Sequence, residues 1–161
     1  MIKPHEDNIN LDSVLQLARK AVDKNKIDLL LIDPWNELET ARRDGQSETD
    51  HIGESLMKCR RFARNNDIAL WIVAHPQKLR QNDDGGYDVP GAYSISGSAH
   101  WANKSDNLLT IYRTPDNVEV HIKKIKFKMR GEVGRVDFKY DRVSGRYTEE
   151  QTNKGELPDG Y

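Results

Sequence analysis

The sequence predicts an α/β protein: a mostly parallel sheet with flanking helices, followed by an antiparallel β-meander. Three observations predict it. Helical and strand-like apolar periods alternate over residues 11–74, the order expected of a sheet joined by crossover helices. Two short, nearly continuous apolar runs, 27–32 and 68–74, end at Asp33-Pro34 and at His75-Pro76. Beyond residue 117 the pattern turns to alternation, Val118, Val120, Ile122 and later Val136, Phe138, Tyr140, which suits strands with one wet face.

Leu11, Val14, Leu15, Ala18, Ala21 and Val22 follow helical spacing, and Asn10 is a candidate cap for their helix. The run 27–32 then reads as a strand buried on both faces of a parallel sheet, stopped by Pro34. Residues 34–47 are polar and include Gly45, so they form a loop. Ser47-Glu48-Thr49-Asp50 opens a second helix with a stripe of Ile52, Leu56, Cys59, Phe62 and Ala63, closed by Asn65-Asn66-Asp67. The run 68–74 is a second buried strand. Residues 77–94 form a long loop, and Ser96-Gly97-Ser98 opens a short helix through Asn103. Residues 107–112 read as a third parallel strand. A meander over 118–148 follows, with turns at Thr114-Pro115, Gly131 to Gly134 and Ser144-Gly145. These elements make one domain, 1–148, followed by a polar tail, 149–161.

Composition narrows the function. Only 36% of residues are hydrophobic and 32% are charged, so the core is thin or the loops are rich in charge. No apolar run approaches the roughly 20 residues a membrane helix needs, and the first residues have no signal-peptide core. The lone Cys59 excludes an internal disulfide framework and suits a reducing compartment, the cytoplasm. Net charge is -1, but it is unevenly spread. Residues 1–50 carry seven cations against eleven acids; residues 119–146 carry nine against four. The basic block is compatible with a polyanion, and charge alone favours a solvated strand face.

Asp33 ends an apolar strand, where ligands of open α/β sheets bind, and such a carboxylate can hold Mg²⁺. A turn-forming Asp before Pro34 is an equal reading. His75 has the same place on the next strand and could donate to a phosphate; taken alone, a histidine bonded to a backbone carbonyl explains it better. Together, the two residues would face one crevice. Lys126, Lys128 and Arg130 alternate into Gly131, so one strand side would carry three cations, suited to phosphate or to guarding a sheet edge. A metal hydrolase using Asp33, His75, His100 and His121 is a rival, weakened by the lack of tight ligand spacing. Phe127 and Trp101 could stack on bases, with core burial preferred; Trp35 fits either the pocket or the packing beneath the loop.

The order of these features resembles a family. It runs from strand–Asp33 through the acidic helix start and strand–Ala74-His75. It continues through Ile95-Ser96-Gly97-Ser98-Ala99, Asp106-Asn107, Arg113, Lys126-x-Lys128 and Gly131-x-x-Gly134. The chain resembles, over about 27–147, the helicase half of phage primase–helicases and of Twinkle, within the DnaB-like, RecA-fold superfamily. The resemblance implies a RecA-like sheet, ATP or another nucleoside triphosphate with Mg²⁺, single-stranded DNA as partner, and a hexameric ring. It implies that Asp33 is the Walker B aspartate and metal contact, and that His75 couples the γ-phosphate to DNA. Arg113 joins the nucleotide contacts. Lys126 and Lys128 fall where the family supplies a lysine and an arginine finger to a neighbouring subunit, with Arg130 as the alternative. Arg42, Arg43, Lys78 and Arg80 lie in the loops that match its DNA-binding loops.

One departure is large. The 161 residues contain no G-x-x-x-x-G-K-[ST] phosphate loop. The chain is therefore expected to be the second half of a RecA-like core, with an incomplete sheet, low solubility and little ATP hydrolysis of its own. It would be a truncated piece, a natural remnant or a gene fragment. The alternative function is a non-catalytic, degenerate RecA-like module that binds nucleic acid or completes a partner.

Overall fold

The computed structural model describes residues 9–38, 42–78, 81, 86–91, 93–95, 98–115 and 117–150. They fall into two compact units, one from 1–78 and 94–104, the other from 79–93 and 105–161.

In the first unit, helix α1 (Leu11–Asn25) starts where Asn10 Oδ1 accepts the Ser13 N–H at 2.9 Å, which satisfies one of the free amides of the first turn. It stops at Lys26, which takes the left-handed conformation (φ 53°). Strand β1 (Leu29–Ile32) follows. Helix α2 (Glu48–Asn66) is capped by Ser47 Oγ, which accepts the Asp50 N–H, and ends at left-handed Asp67. Strand β2 (Ala69–Ile72) then lies parallel to β1, with Leu29 opposite Ala69 and Ile32 opposite Ile72. A short helix α3 (Ser98–Lys104) completes this unit.

The core joins Leu11, Ile32, Trp35, Leu38, Ile52, Leu56, Cys59 and Trp101. Trp35 and Trp101 meet edge to face, with ring centres 5.3 Å apart. A Cβ on Gly53 would stand 2.9 Å from His100 Nε2, so this close approach of α2 and α3 requires glycine. Burial of the sheet is one-sided, contrary to the expectation of two buried faces. Leu30, Leu70 and Ile72 pack on the core, whereas Leu29, Leu31, Trp71 and Val73 are exposed, Trp71 by 60%. Among the described residues of this unit no element covers that second face.

The second unit is a four-stranded antiparallel sheet of β3 (Asn107–Arg113), β4 (Asn117–Ile125), β5 (Gly134–Asp141) and β6 (Arg146–Glu150), in that order. The expected third parallel strand is thus corrected: 107–113 pairs antiparallel with β4 and opens the meander. Its burial alternates along its length, the mark of a strand with one wet face. Register puts Val118, Val120 and Ile122 beside Phe138 and Val136 on one face. The other face carries a charged quartet, in which Glu119 lies opposite Asp137 and His121 opposite Arg135. Arg135 holds Asp137 at 2.7 Å and Glu119 at 3.5 Å, and His121 Nε2 lies 2.7 Å from Glu119 Oε2. The hydrogen bond to Asp137 favours charged Arg135 most, with Glu119 adding to it and burial opposing it. At the β5–β6 turn, Asp141 accepts from the Ser144 hydroxyl and the Val143 N–H, which lowers its carboxyl pKa.

Candidate functional site

Backbone bonds tie the carboxyl ends of β1 and β2 together past the sheet itself. The Val73 N–H donates to Ile32 O at 2.9 Å, and the Trp35 N–H donates to Val73 O at 2.7 Å. Asp33 sits directly after Ile32 and precedes Pro34 through a cis peptide bond. Residues 35–37 form one 3-10 turn. Its Trp35 is buried in the core, which settles that residue as packing. Its Asn36 turns outward, and Asn36 Oδ1 accepts the His75 N–H at 2.8 Å.

Asp33 and His75 therefore lie on one edge, at the ends of adjacent parallel strands. Both side chains are exposed. Among the described residues no cation or donor occupies the Asp33 carboxylate, so it is open to a ligand. That donor set fits Mg²⁺, which keeps several waters and takes one or two carboxylates plus substrate phosphates. Asn36 was not singled out from the sequence. Its only signal is a polar side chain three residues past the strand-ending aspartate.

The basic residues expected to act together are in the second unit, and their geometry corrects the expectation of one strand. Strand β4 ends at Ile125, and Lys128–Arg130 form a 3-10 turn closed by the Arg130 N–H donating to Phe127 O at 2.8 Å. With three residues per turn, positions 128 and 130 point different ways. Gly131 ends the turn at φ 156°, ψ 179°, a conformation essentially reserved for glycine. Lys126 Nζ pairs with Asp106 Oδ1 at 2.7 Å; Asp106, 20 residues away, was also missed. Phe127 is 49% exposed rather than buried. Lys126 Nζ lies 5.0 Å and the Arg130 guanidinium 5.4 Å from its ring centre. Arg113 stands in the same way over Tyr140, at 5.4 Å.

Of the expected DNA contacts, Arg42 and Lys78 are exposed. Arg43 pairs with Glu54 at 3.1 Å, beside an open groove of about 550 Å³ that also meets His51, Lys58 and Trp35. Arg80 lies outside the described residues, as do Ser96 and Gly97. The rival metal centre gains nothing: His100 packs against Gly53, His121 pairs with Glu119, and among the described residues no three potential ligands converge. Trp101 is core, as preferred.

No family model matches the chain. A Twinkle homolog protein, chloroplastic/mitochondrial, of Arabidopsis thaliana is 37% identical over 153 residues, covering 91% of this chain and 21% of that protein. The chain thus spans about a fifth of the length of the curated relative it matches. Among solved structures, an isolated ATPase domain matches with a TM-score of 0.71 at 19% identity, over 91% of this chain and 53% of that one. A DnaB-like replicative helicase, solved with its interactions with primase, matches at 0.69 and 20%, over 88% and 36%. At these identities the structural likeness is one of fold.

The fold is that of the RecA-like ATPase domains of DnaB-like helicases. Within that class, the sequence matches a stretch of a Twinkle-type protein, in agreement with the resemblance drawn from the order of its motifs.

Proposed function

We propose that this chain is part of an ATP-dependent, ring-forming replicative DNA helicase of primase–helicase type, which couples hydrolysis to movement along single-stranded DNA. The observation that carries this reading is the shared edge of Asp33 and His75, held by the Asn36 bridge. Asp33 would hold Mg²⁺, directly or through water, and the ion would screen charge on the transferring phosphate. His75 would donate to the γ-phosphate. Its backbone is fixed through Asn36 to the Asp33 loop, so a change at the phosphate could reach the segment that follows, where Lys78 lies. Arg42, Arg43, Lys78 and Arg80 would contact DNA phosphates. Arg113, Lys126, Lys128 and Arg130 would serve nucleotide, the basic tip doing so in a neighbouring subunit of a hexamer. The single domain of 1–148 and its tail are part of this reading, as is the cytoplasm. The relative's name gives chloroplast and mitochondrion for that protein.

The test is ATP turnover by the chain joined to the phosphate-loop half of a DnaB-like helicase, with and without single-stranded DNA. DNA-stimulated turnover is expected, and Asp33→Asn should lower it by about 100-fold or more. The isolated chain should turn over little or nothing. Turnover that ignores Asp33→Asn contradicts the reading. It would favour the non-catalytic module, for which the missing phosphate loop is the specific observation.

A further inference from the structure

The tip that follows β4 carries three cations, and their surroundings differ. Lys126 is already neutralised by Asp106, at 2.7 Å. Lys128 is exposed and lies at the start of the 3-10 turn. Arg130 ends that turn, and its own N–H closes it on Phe127 O. The guanidinium then lies 5.4 Å from the Phe127 ring centre, within the range of a cation–π contact. Among the described residues no carboxylate pairs with it. Gly131, which a side chain would bring to 3.0 Å from Ile125 Cδ1, fixes where the turn ends.

We propose that Arg130, positioned by the Phe127 ring, is the cation of this tip that grips a triphosphate, in place of Lys128. This rests on the helicase reading and specifies one residue within it. A lysine at 128 offers a point charge on a flexible stem, whereas a guanidinium presents a planar fork matched to two phosphate oxygens. Stacking on an exposed ring holds that fork in place while leaving its donors free. Lys126, tied to Asp106 and shared with the same ring at 5.0 Å, fixes the other side of Phe127. Phe127 is thus a positioning residue and touches no phosphate itself.

The experiment is titration of the 161-residue chain with inorganic tripolyphosphate, followed by calorimetry and by the amide signals of 126–131. Saturable binding is expected, weakened about tenfold by Arg130→Gln and about twofold by Lys128→Gln. Phe127→Leu should weaken it about threefold, and Phe127→Tyr should restore it, because only the latter keeps a ring face. Equal melting temperatures for the two Phe127 variants would exclude a general loss of fold. A parallel titration with oligothymidylate separates the source of phosphate: Arg130→Gln should change it less than it changes tripolyphosphate. A loss in Lys128→Gln that matches or exceeds Arg130→Gln, a Leu variant that binds as wild type, or a larger effect on oligothymidylate would each overturn the proposal. So would absence of saturable binding. The helicase reading is judged separately, from Asp33→Asn, so either can fail alone.

Discussion

Single side chains carry most of the chemistry proposed here, and burial decides which are available. Asp33 and His75 are exposed at a strand edge, where water can be exchanged for a ligand. Cys59 is the opposite case. It is 2% exposed, and burial pushes its thiol up to about 12, outweighing a backbone hydrogen bond and the nearby Lys58 charge. A raised thiol pKa keeps the neutral form in the folded state. The stability it confers is therefore complete below the unfolded value and is lost as pH rises from about 9 towards 12. Alkylation of Cys59 at pH 8 should run about 100-fold slower in the folded chain than in urea, since each unit of pKa costs a factor of ten in thiolate. Equal rates would show the thiol to be accessible. Asn10 and Ser47 were legible as caps because the side chain bonds a backbone N–H three residues on. Asn36 and Asp106 were not legible, because their partners lie 39 and 20 residues away.

Elements show the same division between local and distant causes. Strands β1 and β2 were readable from apolar runs that stop at Asp33-Pro34 and His75-Pro76. Their pairing put the two polar ends side by side, as expected. Strand β3 was readable as a strand but not as part of the meander, because Asn107–Arg113 has no local feature that selects its partner. The tip at 126–131 misled in another way. Alternating cations suggest a strand, whereas the 3-10 turn and Gly131 rotate them apart. In the meander, the quartet of Glu119, His121, Arg135 and Asp137 is the polar feature most dependent on strand register. Removing Arg135 would leave two facing carboxylates with only His121. Arg135→Leu should therefore destabilise the fold by about 1–3 kcal/mol, a figure reduced because Arg135 is half exposed. The deficit should shrink as pH falls into the carboxylate range, since protonating one acid removes the repulsion. Urea unfolding at neutral and acidic pH measures both; a deficit that does not depend on pH would place the cost elsewhere.

For the molecule as a whole, the thin apolar content foreseen from composition appears as surface rather than as absence of fold. Leu29, Leu31, Trp71 and Val73 leave one face of the β1–β2 sheet bare, and Ile111 of β3 is 72% exposed. Apolar faces of this kind drive association. The chain alone is expected to self-associate as concentration rises, read by sedimentation velocity. A clean monomer at all concentrations would argue against an incomplete core. The resemblance foresaw the RecA-like fold, whereas the one-sided burial of its sheet became visible only in three dimensions.

The central claim is that the edge shared by Asp33 and His75 binds a metal–triphosphate. Paramagnetic broadening by Mn²⁺ and ATP, followed on the isotope-labelled chain, tests it most directly. Signals of residues 33–36 and 73–75 should broaden together, and Asp33→Asn should abolish that broadening. Broadening that spares this edge, or that persists there in Asp33→Asn, would contradict the account.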